Sequence, residues 1–144
     1  MKKFFSLLIL TVLLLNLMAC NSNISLDWVN AGTYLRVYWK DCDVAGDYLY
    51  LDVSCYGKTQ AVDERITFIN CFVTVEITAS AYDDYGNYYF STGKETMRLN
   101  ESGGGSCTVR IDLSDIYRIY GLNDFDISDV SVVKANGTLK KNSY

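Results

Sequence analysis

Cysteine is the residue type in this chain whose chemistry is easiest to anticipate, because a thiolate is the strongest nucleophile among ordinary side chains. The chain has five cysteines, and Cys20 stands apart from the others, directly after an apolar run. The remaining cysteines are Cys42, Cys55, Cys71 and Cys107. None of them forms a C-x-x-C pair, so neither a redox-active disulfide nor a zinc site is expected.

Residues 1–19 have the pattern of a secretory signal peptide. Lys2 and Lys3 form a positive start, residues 4–17 are almost all apolar, and the small Ala19 precedes the predicted cleavage point. The apolar run is too short for a membrane-spanning helix, which needs about 20 residues. The pattern therefore predicts export from the cytoplasm.

The end of this segment, Leu17-Met18-Ala19-Cys20, resembles the lipobox of bacterial lipoproteins, although Met18 is bulkier than the residue usual there. The resemblance implies that residues 1–19 are removed and that Cys20 carries a covalent lipid that anchors the chain to the membrane. Asn21, in place of an Asp, implies the outer membrane or cell surface if the organism is Gram-negative. An ordinary cleaved signal followed by a chance cysteine is the alternative.

The composition of the exported part argues against several function classes. Loss of Lys2 and Lys3 takes the formal net charge from −4 to −6, which disfavours nucleic-acid binding and leaves no expected polybasic patch for anionic lipid. The chain contains no His, the commonest general base and metal ligand. Neither a nucleophile elbow nor a phosphate-binding loop is present. We therefore expect no enzyme, no metal and no cofactor besides the covalent lipid.

The remaining chain is expected to be a short lipidated tether over residues 20–30 and a single domain over residues 31–144. Residues 33–40 and 47–56 alternate between apolar and polar side chains, as strands with one buried face do. In residues 65–82 the alternation changes phase near Asn70-Cys71, which predicts a bulge or break. Ser102-Gly103-Gly104-Gly105-Ser106 predicts a flexible turn.

Two further segments complete the predicted elements. Ser114 could cap a short helical turn near residues 115–120, and Asn136-Gly137 is typical of a two-residue hairpin. Short strands with turns every 8–12 residues predict an all-β fold, an antiparallel β-sandwich of about seven strands.

The order of strands and turns in residues 47–113 resembles immunoglobulin-like bacterial domains of the FxLYD type. The resemblance is carried by residues 75–83, Gly86-Asn87 and Leu99-Asn100-Glu101-Ser102, although the Pro-Gly of the family's turn is missing. It implies a sandwich and no particular activity.

The cysteines other than Cys20 are even in number, which in an exported domain predicts two disulfides. Buried free thiols are the alternative if the compartment does not oxidise them. The immunoglobulin-like order slightly favours Cys55–Cys107, but this pairing leaves Cys42 to reach Cys71 across the domain, so the map stays open.

Tyrosines supply the candidate binding site. They follow the polar side of two neighbouring strands: Tyr34, Tyr38, Tyr48, Tyr50 and Tyr56. Such a face can stack on a sugar or hold a protein partner, or it can be ordinary cross-strand pairing within a sheet. The main hypothesis is thus a membrane-anchored, non-enzymatic module that holds a protein or glycan partner. The alternatives are an inhibitor of an exported hydrolase, acting through the residue 102–106 loop, and a structural component of the envelope.

Overall fold

The computed structural model describes residues 22–117 and 125–142, and over these ranges the chain forms two antiparallel sheets with short helices at their margins. The predicted all-β sandwich is confirmed. The elements, in chain order, are β1 (Ser22–Ser25), α1 (Trp28–Tyr34), β2 (Leu35–Ala45), β3 (Tyr48–Gly57), α2 (Thr59–Asp63), β4 (Ile66–Tyr82), β5 (Tyr88–Arg98), β6 (Gly105–Asp112), α3 (Ser114–Tyr117), β7 (Asp126–Ile127) and β8 (Ser131–Lys141).

Sheet A contains β1-β8-β4-β5 in that order, with β7 beside β4, and sheet B contains β2-β3-β6. The core lies between the sheets because alternate residues of each strand point inward. On β3 these are Leu49, Leu51, Val53 and Cys55, and on β4 they run from Val73 to Ala81. The inward faces predicted from the alternation are the buried ones.

The phase change near Asn70 is a β-bulge within one continuous strand. Ile69 pairs with Thr138 and Phe72 pairs with Asn136, so two residues of β4 lie opposite the single residue Gly137. Asn70 takes a left-handed φ of 48° to accommodate the extra residue. The bulge returns the apolar side chains of β4 to the core side of the sheet.

Gly137 belongs to this bulge and not to a hairpin. The predicted Asn136-Gly137 hairpin is wrong, because β8 continues through both residues. Gly137 has a φ of 130°, and a Cβ there would lie 2.6 Å from both Cα and Sγ of Cys71. Glycine is thus needed at this position because β8 passes too close to Cys71 for a side chain. A sequence motif for a turn does not indicate this contact.

The N-terminal residues of the described chain belong to the domain. Residues 20–30 were expected to be a tether, but β1 pairs with β8 from Ser22 onward, and Leu26 is 1% exposed. Asp27 then caps α1 by accepting hydrogen bonds from the backbone N–H groups of Val29 and Asn30. The domain therefore includes residues 22–30, which corrects the tether prediction over this range, while residues 20 and 21 lie outside the described residues.

The glycine-rich loop is folded onto the domain. Asn100 Oδ1 accepts hydrogen bonds from the backbone N–H groups of Ser102 and Gly104, and Gly103 is buried against Phe68 and Leu35. The loop is therefore ordered by these contacts and is not the flexible turn that was expected, while the inhibitor alternative stays a prediction.

The short helices were only partly anticipated. α3 lies where a helical turn was expected, but Ser114 is its first residue and not its cap, and residues 118–120 of the expected turn lie outside the described residues. α1 and α2 were not anticipated, because each is a short connection without an apolar period of its own.

Candidate binding surfaces

The outer face of sheet B carries most of the predicted tyrosine site. Tyr48, Tyr50 and Tyr56 alternate with the buried residues of β3, and Tyr38 lies opposite Ser54 on the adjacent strand β2. Tyr38 and Tyr56 meet edge to face with 5.8 Å between ring centroids. Tyr48 and Tyr50 form a second pair at 6.4 Å. The predicted tyrosines of β2 and β3 thus form two separate pairs.

Tyr34 does not belong to this face. It ends α1, is 8% exposed, and its Oη donates a hydrogen bond to Glu64 Oε2 at 3.3 Å. Burial, followed by the charge of Glu64, raises the pKa of Tyr34. The placement of Tyr34 with the other tyrosines is corrected, because the helix turns its ring inward before β2 begins.

A polar hollow of about 270 Å³ lies between the two tyrosine pairs. Asp52 accepts a hydrogen bond from the Thr108 hydroxyl at 2.8 Å across β3 and β6. Tyr50 and Tyr56 are six positions apart on β3, which places these two residues roughly 20 Å apart along the strand. The hollow is lined by Lys40, Asp52, Val53, Ser54, Ser106, Cys107 and Thr108.

Arg110 borders the second tyrosine pair. Its guanidinium carbon lies 4.8 Å from the centroid of the Tyr48 ring, within cation–π distance. Arg110 lies opposite Tyr50 in the register of β3 and β6. The Arg110 guanidinium therefore packs over one ring of this pair and places a hydrogen-bond donor beside it.

A second aromatic surface lies at the tip of the β4–β5 hairpin, and the sequence reading did not single it out. Tyr82 and Tyr88 lie 5.0 Å apart between ring centroids, and Tyr88 stacks on Phe90 at 5.6 Å. These three rings, here called the hairpin aromatic cluster, are 64%, 51% and 63% exposed. The sequence does show their shared side, because Tyr82, Tyr88 and Phe90 follow the polar phase of their strands.

The turn that supports this cluster is built by Asp83. Its carboxylate accepts hydrogen bonds from the backbone N–H groups of Tyr85 and Asn87 and from Asn87 Nδ2, at 2.7 to 2.9 Å. These bonds, the Asn87 side chain first, hold the pKa of Asp83 below its usual range. The acidic and amide side chains of this turn therefore have a conformational role.

The cysteines of the domain are free thiols in the described residues. Cys55 and Cys71 are buried, Cys107 is half-buried, and Cys42 is exposed on the edge strand β2. The predicted disulfides are not formed in this structure. Cys42 is exposed on sheet B, whereas Cys71 is buried in sheet A, so the structure gives no support to a Cys42–Cys71 pairing.

Among residues 22–117 and 125–142, no group of three or more His, Cys, Asp or Glu side chains is arranged to hold a metal ion. The same residues include no helix that is long and apolar enough to cross a membrane. Cys20 and residues 1–19 lie outside the described residues, so lipidation at Cys20 stays a prediction.

The chain was compared with protein-family models, with curated proteins and with solved structures, and none of the three comparisons found a match. The resemblances to lipoproteins and to FxLYD-type domains stay predictions.

Proposed function

We propose that this chain is an exported, lipid-anchored and non-enzymatic binding module, which holds a glycan on the outer face of sheet B. The signal pattern and Cys20 support the location. The observation that carries the choice of ligand is the polar hollow with a tyrosine pair at each end.

A glycan suits this face better than a compact hydrophobic ligand. Sugar rings offer an apolar face that an aromatic ring can cover, and hydroxyl groups that need hydrogen-bond partners. Lys40, Asp52 and Ser54 supply both donors and acceptors between the tyrosine pairs. The face is open and shallow, a shape that fits an extended chain lying along β3 from one tyrosine pair to the other.

The test is binding of residues 21–144, which include the whole described domain, to a panel of envelope and host glycans. Tyr48→Ala/Tyr50→Ala should reduce binding at least about tenfold, the effect of losing roughly 1.4 kcal/mol. Tyr82→Ala/Tyr88→Ala is the matched control, since it removes two exposed tyrosines from sheet A and should leave glycan binding unchanged. Equal binding by the Tyr48/Tyr50 variant and the native chain overturns the assignment.

A protein partner is the second candidate, and the hairpin aromatic cluster favours it. Tyrosine and phenylalanine rings exposed side by side are typical of interface hot spots. Capture of an envelope protein that is lost on Tyr82→Ala/Tyr88→Ala, and retained on Tyr48→Ala/Tyr50→Ala, would replace the glycan with a protein. Loss of neither interaction, with altered envelope integrity on gene deletion, would favour a structural component.

A further inference from the structure

The first described residue of the domain lies very close in sequence to the predicted lipid anchor. Only Asn21 separates Cys20 from Ser22. Two residues span at most about 7 Å between Cα atoms. Ser22 pairs with Lys141, which also pairs with Ile66. Ser22 lies at the end of the sandwich where β1 and β4 begin and β8 ends, so a lipid on Cys20 would be attached to the chain within two residues of this end.

This end, here called the anchor pole, is rich in basic side chains, although the net negative charge of the chain led us to expect no such patch. Lys140 and Lys141 end β8, and Arg65 precedes β4. Lys58 and Arg36 lie on the sheet B side, where they line one shallow hollow. These five side chains are exposed or half-exposed.

The acidic groups at the anchor pole, Glu64, Asp63 and the exposed Glu101, are fewer than the basic ones, and the Glu64–Lys141 ion pair offsets one charge of each sign. Glu64 forms an ion pair with Lys141 at 3.2 Å, and Asp63 ends α2. Between Lys58 and Arg65, the apolar Val62 is 72% exposed. The pole thus combines basic groups with an exposed apolar side chain, a combination that suits the headgroup region of a membrane.

The opposite end of the sandwich is acidic. Asp47 lies in the β2–β3 turn, where its carbonyl accepts a hydrogen bond from the backbone N–H of Leu113. The β4–β5 turn adds acids of its own on the sheet A side. Exposed or half-exposed acids at this end include Asp43, Asp47, Asp83, Asp84, Asp112 and Asp115. The overall negative charge is therefore distributed unequally, away from the end that the anchor reaches.

We propose that the anchor pole is a contact surface for the anionic headgroups of the membrane in which Cys20 is held. The proposal rests on the lipid anchoring put forward under the proposed function. Basic side chains within a Debye length of the bilayer attract its phosphates, and the acidic end is repelled from them. The domain then stands upright, and the 17-residue strand β4 carries the hairpin aromatic cluster roughly 50 Å from its start at Ile66.

The test uses the lipidated full chain in vesicles of phosphatidylcholine alone and of phosphatidylcholine with phosphatidylglycerol. Intact mass first establishes whether Cys20 carries the lipid. Amide hydrogen exchange then follows residues 22–25, 58–65 and 138–142. Exchange in these segments should be several-fold slower on the anionic vesicles, and the difference should vanish in about 1 M salt, where the Debye length is roughly 3 Å.

Charge variants locate the contact. Lys58→Gln/Lys140→Gln should abolish the lipid-dependent protection, while Lys40→Gln/Lys134→Gln, which removes the same charge outside the pole, should retain it. Equal exchange on the two vesicle types, with Cys20 lipidated, overturns the contact surface and leaves the anchoring intact. An unmodified Cys20 overturns the anchoring and the contact surface that depends on it, while the glycan assay on residues 21–144 remains independent of both.

Discussion

Cys55 and Cys107 lie on the same side of neighbouring strands, offset by two residues: Cys55 is opposite Gly105, and Cys107 is opposite Val53. Diagonal neighbours in a sheet have Cα atoms about 7–8 Å apart, whereas most disulfides join Cα atoms at roughly 4.4–6.8 Å. Burial raises the pKa of Cys55 to about 12 and that of Cys107 to about 11. The two thiols are therefore protonated neighbours. A disulfide between them would require a small shift in the register of β3 and β6.

Thiol alkylation should follow this order of burial. Cys42 is exposed and should react with iodoacetamide in the native domain, while Cys55 and Cys71 should react only after denaturation. Thiolate is the reacting form, so the raised pKa of Cys55 protects it further. Peptide mass mapping of timed samples checks the order. Native labelling of Cys55 as fast as Cys42, or a Cys55–Cys107 bridge in unreduced protein, would contradict it.

The Cys55 thiol should make the free energy of unfolding depend on pH in the alkaline range. The folded pKa of Cys55 lies above its ordinary value of 9.0, so its contribution to stability is complete below pH 9 and is lost as the pH rises towards about 12. Urea unfolding on both sides of this window measures the loss. Cys55→Ala should weaken the pH dependence, and Cys42→Ala, at an exposed site, should not. An identical slope for both variants would assign the dependence to other groups.

The sandwich and its core faces could be predicted because each strand has one buried side. Apolar residues therefore alternate with polar ones along the strand, with a period of two. The bulge at Asn70 was equally visible as a change of phase. Both features depend on side-chain polarity along one strand, and the pairing of strands is not needed to see them.

The features that the sequence reading missed depend on distant partners. Gly137 is explained by Cys71 across the sheet, and the position of Tyr34 by Glu64. The hairpin aromatic cluster needed the register that places Tyr82 opposite Tyr88. The sequence around Gly137, Tyr34, Tyr82 and Tyr88 has no local pattern from which these contacts could be predicted.

Gly93 on β5 lies close to β6 of the other sheet and offers a direct test of the packing. A Cβ at this position would lie 2.5 Å from the Arg110 carbonyl oxygen and 2.7 Å from Val109 Cγ1. Gly93→Ala should therefore lower the free energy of unfolding by roughly 1–3 kcal/mol.

The matched control for Gly93 is Gly32, in α1, where an added Cβ meets nothing within 4 Å. Gly32→Ala should stabilise the domain by about 0.5–1 kcal/mol, since alanine favours the helix. Thermal and urea unfolding of both variants give the comparison. Equal stability of Gly93→Ala and the native chain would mean that β5 and β6 lie farther apart than described here.

The N-terminal strand provides the last prediction. A chain that starts at residue 31 lacks β1, the Asp27 cap and Leu26, which is 1% exposed. Loss of the Leu26 side chain alone costs about 2–5 kcal/mol in a packed core. Loss of β1 also exposes the edge of β8 to pairing with other chains. The truncated chain should therefore unfold at lower urea concentration than residues 21–144. At the same protein concentration it should also aggregate, as measured by light scattering.

Leu26→Ala in residues 21–144 separates the loss of core packing from the exposure of the β8 edge, because it should lower stability without aggregation of the folded chain. Equal stability and solubility of the truncated and longer chains would restore the tether interpretation and detach β1 from the domain.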